Sequence, residues 1–287
     1  MKDLFAIVTD STSNIPYQYA ERYHITVLPL KYLTVDKEYP GYGEQGNEIF
    51  QALYEQMREG KNITTSMVNE TEAYEQIKPI LEEGQDVLYI GLSSKLSGTF
   101  GAVERALMRL KGEYPEQNVF AVDSLCVALG EGLLLYRAVK MRKQGKSIQK
   151  VYEWCSRVRW NVNTIFTVDD LNHLKRSGRA SSVIATVGTV LKIKLILRMN
   201  QGGVLRQETK VRGRKKSLDE MVKRTLRDIK EPQTVYISHG DCASDARYLA
   251  DQLRKSEKIK KIILYPLDPV IGVHTGPGSI GIFFISY

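Results

Sequence analysis

Four hydroxyls and a glycine crowd together at Ser93, Ser94, Ser97, Gly98 and Thr99. They lie between two apolar patterns. Val87–Leu92 is a short apolar run, the mark of a buried strand. Phe100, Val103, Leu107 and Leu110 recur at helical spacing and mark one buried face. The stretch therefore reads as strand, polar turn, helix. The first N–H groups of a helix lack intrahelical partners and its dipole favours negative charge, so such a turn is a ready anion site. Capping the helix needs one hydroxyl. This turn offers four, which leaves room for a second role.

Three more hydroxyl clusters follow the same logic: Asp10-Ser11-Thr12-Ser13-Asn14, Thr64-Thr65-Ser66 and Asp123-Ser124. Each lies at or near the end of an expected strand or in a loop nearby. Leu4–Thr9, Ile25–Leu30, Val87–Leu92 and Val119–Val122 are the strands. Helices are expected over Ile49–Met57, from a cap at Asn69 with Glu72 to about Leu81, over Leu129–Met141, and after Ser147. Alternating strands and helices predict a mostly parallel sheet covered on both faces, a three-layer α/β/α arrangement. In such sheets ligands bind beyond the carboxyl ends of the strands, so the clusters are expected to converge on one rim.

The second half changes pattern. Leu191, Ile193, Leu195 and Leu197 alternate with Lys192, Lys194, Ile196 and Arg198, as in an antiparallel strand with one largely polar face. Asn200–Gly203 reads as a hairpin turn into Val204–Val211. Ser217 with Glu220 reads as a capping box. Ser244–Arg254 reads as a further helix, and Val235–Ser238, Ile262–Tyr265 and Ile282–Ile285 as strands. This predicts two domains, residues 1–160 with a parallel sheet and residues 161–287 with a mixed, largely antiparallel α/β sheet. Just before the last strand lies Gly272-Val273-His274-Thr275-Gly276-Pro277-Gly278. It is either a tight turn with an incidental histidine, or backbone close to a ligand with His274 as donor or cation.

Composition narrows the function. The net charge is +8, and the densest basic group is Lys210–Lys216, a solvated loop or a contact surface for an acidic or phosphorylated partner. Basic and aromatic residues do not interleave, so nucleic acid is not the expected partner. The three cysteines are far apart, without metal spacing, which fits a reducing compartment. No secretory leader is visible in Met1–Asp10, and no apolar run approaches a membrane span, so a soluble cytoplasmic protein is expected. Ser97, His274 and Asp10 or Asp123 offer a hydrolase triad for an acyl ester. However, Ser97 lies in Leu-Ser-Gly-Thr rather than in a G-x-S-x-G elbow. A phosphate- or sugar-binding protein is a third reading of the same helix start, although no phosphate-loop or dinucleotide glycine signature is present.

Taken together, Val8–Ser13 (VTDSTS), Thr65-Ser66, Leu92–Phe100 (LSSKLSGTF), Val122-Asp123-Ser124, Leu174–Ala180 (LKRSGRA) and Val270–Gly281 (VIGVHTGPGSIG) resemble the DegV family of bacterial fatty-acid-binding proteins. The matches run in order from end to end. The resemblance implies two α/β domains with a long-chain fatty acid, palmitate-like or oleate-like, held between them. It also implies a non-enzymatic role, presenting that acid to a separate ATP-dependent fatty acid kinase that makes acyl phosphate for phospholipid synthesis. No further cofactor or metal is implied. By motif position, Thr65 and Ser97 would bond the carboxylate, with the backbone at Gly98 and Thr99 helping, and His274 would stand near the head group. Arg179, Arg212 and Arg214 would face the kinase. One departure is visible: the family usually continues Thr-Ser with Gln-Pro-Ser, whereas this chain has Met67-Val68-Asn69.

Overall fold

The computed structural model describes residues 4–44, 47–180 and 193–286. Residues 191 and 192 of the expected alternating strand, and the first three residues of the chain, lie outside them. The chain divides into two compact units. Unit 1 comprises Met1–Glu44 and Thr65–Trp160, and unit 2 comprises Gln45–Thr64 and Asn161–Tyr287.

Unit 1 is built on a four-stranded sheet, β1 (Ala6–Asp10), β2 (Ile25–Leu28), β6 (Val87–Gly91) and β7 (Val119–Asp123), in the order β2-β1-β6-β7. Every pairing is parallel. All five residues of β1 and of β6 are buried, as expected of central strands covered on both faces. The chain steps one way across the sheet from β1 to β2 and the other way from β6 to β7. Right-handed crossovers then put the intervening helices, α1 (Tyr17–Arg22) and α4 (Thr99–Glu113), on opposite faces. The reversal falls between β1 and β6, the place where open parallel sheets leave a crevice at their carboxyl ends. A small second sheet, β4-β3-β5, joins β3 (Lys31–Leu33), β4 (Glu38–Pro40) and β5 (Thr64–Ser66). It makes strand of Tyr39 and Pro40, the start of the Gly- and Tyr-rich stretch 39–46, whose composition reads as a loop. α3 (Glu70–Glu82) starts with the expected capping box: Asn69 Oδ1 accepts from Glu72 N, and Glu72 accepts from Asn69 N. α5 (Leu129–Lys143) and α6 (Ile148–Val158) pack together. Ser147 precedes α6 as expected, but its side chain makes no capping bond.

Unit 2 holds a six-stranded sheet, β8 (Val162–Thr167), β9 (Ile193–Met199), β10 (Leu205–Arg212), β11 (Gln233–His239), β12 (Ile259–Pro266) and β13 (Ile280–Ile285). Its order is β10-β9-β8-β13-β11-β12. Only β11 and β12 pair in parallel; the other described pairings are antiparallel. The mixed, largely antiparallel sheet predicted for this half is present. Its core gathers Ile165, Ile196, Ile237, Leu249, Ile282 and Phe284. The Asn200–Gly203 hairpin forms, closed by Asn200 N donating to Val204 O.

Three expectations need revision. Residues 45–64 were assigned with the first half, but α2 (Asn47–Arg58) belongs to unit 2. Its Leu53, Tyr54 and Met57 form one buried apolar stripe, and Arg58 pairs with Asp241 at 2.5 Å. Second, Ser217 is not a helix cap. α8 (Arg214–Asp228) begins earlier, behind Gly213 at φ 94°, and the Ser217 hydroxyl donates to Arg214 O inside its first turn. Third, the glycine-rich end contains a helix, α10 (Pro269–Thr275). It is capped by Asp268, which accepts from Ile271 N, with Pro269 in the first turn where a missing N–H costs nothing.

Candidate functional site

The polar clusters of unit 1 converge at the carboxyl ends of β1, β6 and β7, but most of their groups are consumed in building the rim. Asp10 is fully buried. It accepts from Thr12 N and Thr12 Oγ1, from the Tyr89 hydroxyl and from Leu92 N, which pins the start of the 92–98 turn to β1. Burial raises its carboxyl above the usual range, and these four donors pull it back only in part. Ser11 Oγ accepts from Leu30 N, Ser13 Oγ donates to Asp10 O, and Ser124 Oγ accepts from Cys126 N. Asp123 Oδ1 accepts from Ser94 N, tying the turn to β7 as well. These residues are scaffolding. The hydroxyls nearest solvent in this region are Ser94, which is exposed, and Ser97, which is half-buried.

Ser97 is tied to the start of α4. Its Oγ accepts from Thr99 N at 3.2 Å and lies 3.0 Å from Thr99 Oγ1, while Thr99 itself is fully buried. When the Thr99 hydroxyl also donates, the single proton of Ser97 is left to point at a ligand. When Ser97 donates to Thr99 Oγ1 instead, it offers a ligand an acceptor lone pair. The same geometry corrects the expectation for Thr99. Its N–H is spent on Ser97, so Thr99 aims Ser97 rather than gripping an anion. Gly98 is the exposed residue that leads into α4. Thr65 lies half-buried in the middle of β5. Two residues on, the Met67 sulfur stands 2.8 Å from where a Cβ of Gly98 would be, so the 65–67 and 97–99 segments meet.

His274 lies in unit 2, on α10. Burial first, then the Arg179 guanidinium, lowers its pKa to about 4, so the ring is a neutral donor or acceptor at physiological pH and not a cation. Glycines surround it because protein side chains need the space. A Cβ at Gly272 would lie 2.4 Å from the Tyr54 hydroxyl, and one at Gly276, itself at φ +81°, would lie 2.4 Å from the His173 ring. Gly272 and Gly276 of this segment thus pack against α2 and α7 (Leu171–Ser177).

The three arginines separate. Arg179 is exposed, with its guanidinium donating to Ser177 O, and Arg212 is exposed at the end of β10. Arg214 faces inward: it pairs with Asp245 at 2.7 Å and donates to Gly278 O at 2.7 Å. That bonding takes Arg214 out of the expected partner-facing surface and makes it a tie between α8, α9 (Ala243–Arg254) and the glycine-rich segment. Residues missed by the sequence reading include Glu131, fully buried and accepting from Thr9 and Thr12 hydroxyls, and Tyr54. Glu131 was detectable as the one charge in the apolar start of α5. Tyr54 carried no distinguishing signal.

A family model described as "Uncharacterised protein, DegV family" matches residues 4–287. The chain belongs to the DegV family. It is 37% identical over 284 residues to a DegV domain-containing protein of Clostridium perfringens, covering 98% of this chain and 97% of that one. Among solved structures it is similar to a DegV family protein from Thermus thermophilus described by its fatty acid binding, with TM-score 0.89, 28% identity and 99% of each chain covered. It is also similar to a DegV lipid binding protein from Thermotoga maritima, with TM-score 0.85, 29% identity and 100% and 99% covered. The two-domain α/β architecture is that of these DegV neighbours. No helix among the described residues is long and apolar enough to cross a membrane.

Proposed function

We propose that this protein binds a long-chain fatty acid and presents its carboxylate to a separate ATP-dependent kinase, which converts it to acyl phosphate. The observation that carries the binding reading is the half-buried Ser97 hydroxyl, held by the Thr99 N–H at the head of α4. An apolar tail supplies roughly 0.8 kcal/mol per buried methylene, so the head group needs satisfied hydrogen bonds more than strong attraction. Ser97 and Thr65 are neutral donors that meet that need without a buried cation. A carboxylate held by neutral hydroxyls also keeps its nucleophilic oxygen available to a phosphoryl donor. The descriptions of the Thermus and Thermotoga relatives support the ligand class.

In this reading neutral His274 serves the transfer step, and exposed Arg179 and Arg212 face the kinase. The soluble cytoplasmic setting follows from the same partner. The deciding experiment is solvent extraction of the purified protein followed by mass spectrometry, with uptake of added palmitate or oleate by the emptied protein. A stoichiometric long-chain acid, or uptake where the extract is empty, supports the reading. An empty extract and no uptake defeat it. An activated ester in the same preparation separates a hydrolase, which would turn it over and lose that turnover in Ser97→Ala.

A further inference from the structure

Met67, in the segment Met67-Val68-Asn69, packs against the turn at Ser97–Thr99. Its backbone is fixed on both sides. Ser66 ends β5, Val68 is 1% exposed, and Asn69 caps α3. Glu72 of that capping box is held in turn by Lys31 of β3 at 2.9 Å. Met67 therefore projects from a rigid mount. Its sulfur and methyl group lie 2.8 Å and 3.4 Å from the Cβ position of Gly98, filling space that only a glycine leaves open. Ser97 and Thr99 flank that glycine. Yet the Met67 side chain is 44% exposed, so solvent-borne reagents reach it.

We propose that Met67 is a peroxide-modifiable residue of the head-group turn, and that its oxidation lowers affinity for fatty acid; this rests on the fatty-acid reading above. The step balances with a hydroperoxide as oxidant. The thioether sulfur attacks the distal peroxide oxygen, the O–O bond breaks, one oxygen passes to sulfur, and the peroxide leaves as water or an alcohol after protonation. Sulfur is oxidised by two electrons and the peroxide is reduced by two. The product carries a strongly accepting oxygen where a soft apolar atom packed against the turn. That oxygen either displaces the Gly98 turn, and Ser97 with it, or remains beside Ser97 and faces a carboxylate acceptor to acceptor. Both outcomes weaken the carboxylate's hydrogen bonds, and reduction of the sulfoxide restores the site.

The test uses the full chain with hydrogen peroxide as the probe. Affinity for oleate is measured first on untreated protein; absence of binding there overturns the function itself and this proposal with it. Treated protein is then digested and the sulfoxide at each methionine quantified by mass spectrometry. The expected result is oxidation at Met67 with affinity weakened by about tenfold or more, the scale of one lost hydrogen bond to a charged group. Met67→Leu keeps its own starting affinity through the treatment. Met108→Leu, which removes the 65% exposed methionine of α4, remains as sensitive as the parent. Methionine sulfoxide reductase restores binding to the treated parent. Unchanged affinity with Met67 fully oxidised, no oxidation at Met67 while Met108 reacts, or equal loss in Met67→Leu each overturns the proposal.

Discussion

A half-buried histidine that stays neutral leaves a measurable trace in stability. The pKa of His274 falls from its ordinary 6.5 to about 4 in the folded protein, so the unfolded chain takes up a proton more readily. That contribution is fully present above pH 6.5 and is lost as pH falls from 6.5 towards 4, by up to about 3 kcal/mol. His173 and His239 are lowered in the same direction by burial. His274→Gln is therefore expected to shrink the acid limb of a Tm-against-pH curve without abolishing it; an unchanged limb would show that His274 is not the half-buried neutral group described. Ser97→Ala acts at two levels. Removing the donor to a carboxylate is expected to weaken fatty-acid binding by about 1.5–3 kcal/mol in a titration. Removing the acceptor for Thr99 N costs about 1 kcal/mol of stability in a denaturant melt, the usual net contribution of one hydrogen bond.

At the scale of elements, α10 is held by contacts from its neighbours. Tyr54 of α2 is 1% exposed, its hydroxyl has no hydrogen-bond partner among the described residues, and it packs against Gly272. Tyr54→Phe is thus expected to be neutral or stabilising, because it removes an unsatisfied buried hydroxyl. Gly272→Ala is expected to cost about 1–3 kcal/mol by overpacking. Tyr54→Phe in the same chain recovers part of that loss in urea melts, since the hydroxyl is the nearest clashing atom. Arg214→Gln removes the pairing with Asp245 and weakens the bond to Gly278 O, so it is expected to destabilise by about 2 kcal/mol. Arg212→Glu leaves the melt unchanged and weakens only the proposed kinase complex. If Arg214→Gln melts like the parent, the inward assignment of Arg214 is wrong.

The whole molecule is not divided simply along the chain. Unit 2 takes α2 from the middle of the first half, which gives it the Leu53, Tyr54 and Met57 stripe and the Arg58 pairing with Asp241. A piece comprising residues 161–287 alone would leave the socket at Gly240 and Gly272 open. It is expected to lose the cooperative thermal unfolding that the full chain keeps. A cooperative melt of the excised piece would show that α2 is dispensable to unit 2. The segment 45–64 also explains why a cut at 160/161 looks natural in sequence: each side of it alternates cleanly, and nothing local in α2 indicates which sheet its apolar stripe will cover.

Much of the architecture followed from local patterns. The unbroken apolar runs of β1 and β6, the Asn69–Glu72 capping box, the change to alternating residues in β9 and the Asn200–Gly203 hairpin each depend on near neighbours in the chain. Those interactions are the same in any fold that contains them. The motifs also carried the family and named Ser97 as a candidate. What needed the tertiary structure was the use of each polar group. Asp10, Thr12 and Ser124 are scaffolding because they are buried and bonded within the protein, Ser97 is held by the Thr99 N–H, and Arg214 turns inward to Asp245. The glycines around His274 make room for Tyr54 and His173, and Met67 packs on Gly98. These are contacts between residues distant in the chain, and burial decides whether a hydroxyl or charge is available to a ligand or already occupied by the protein.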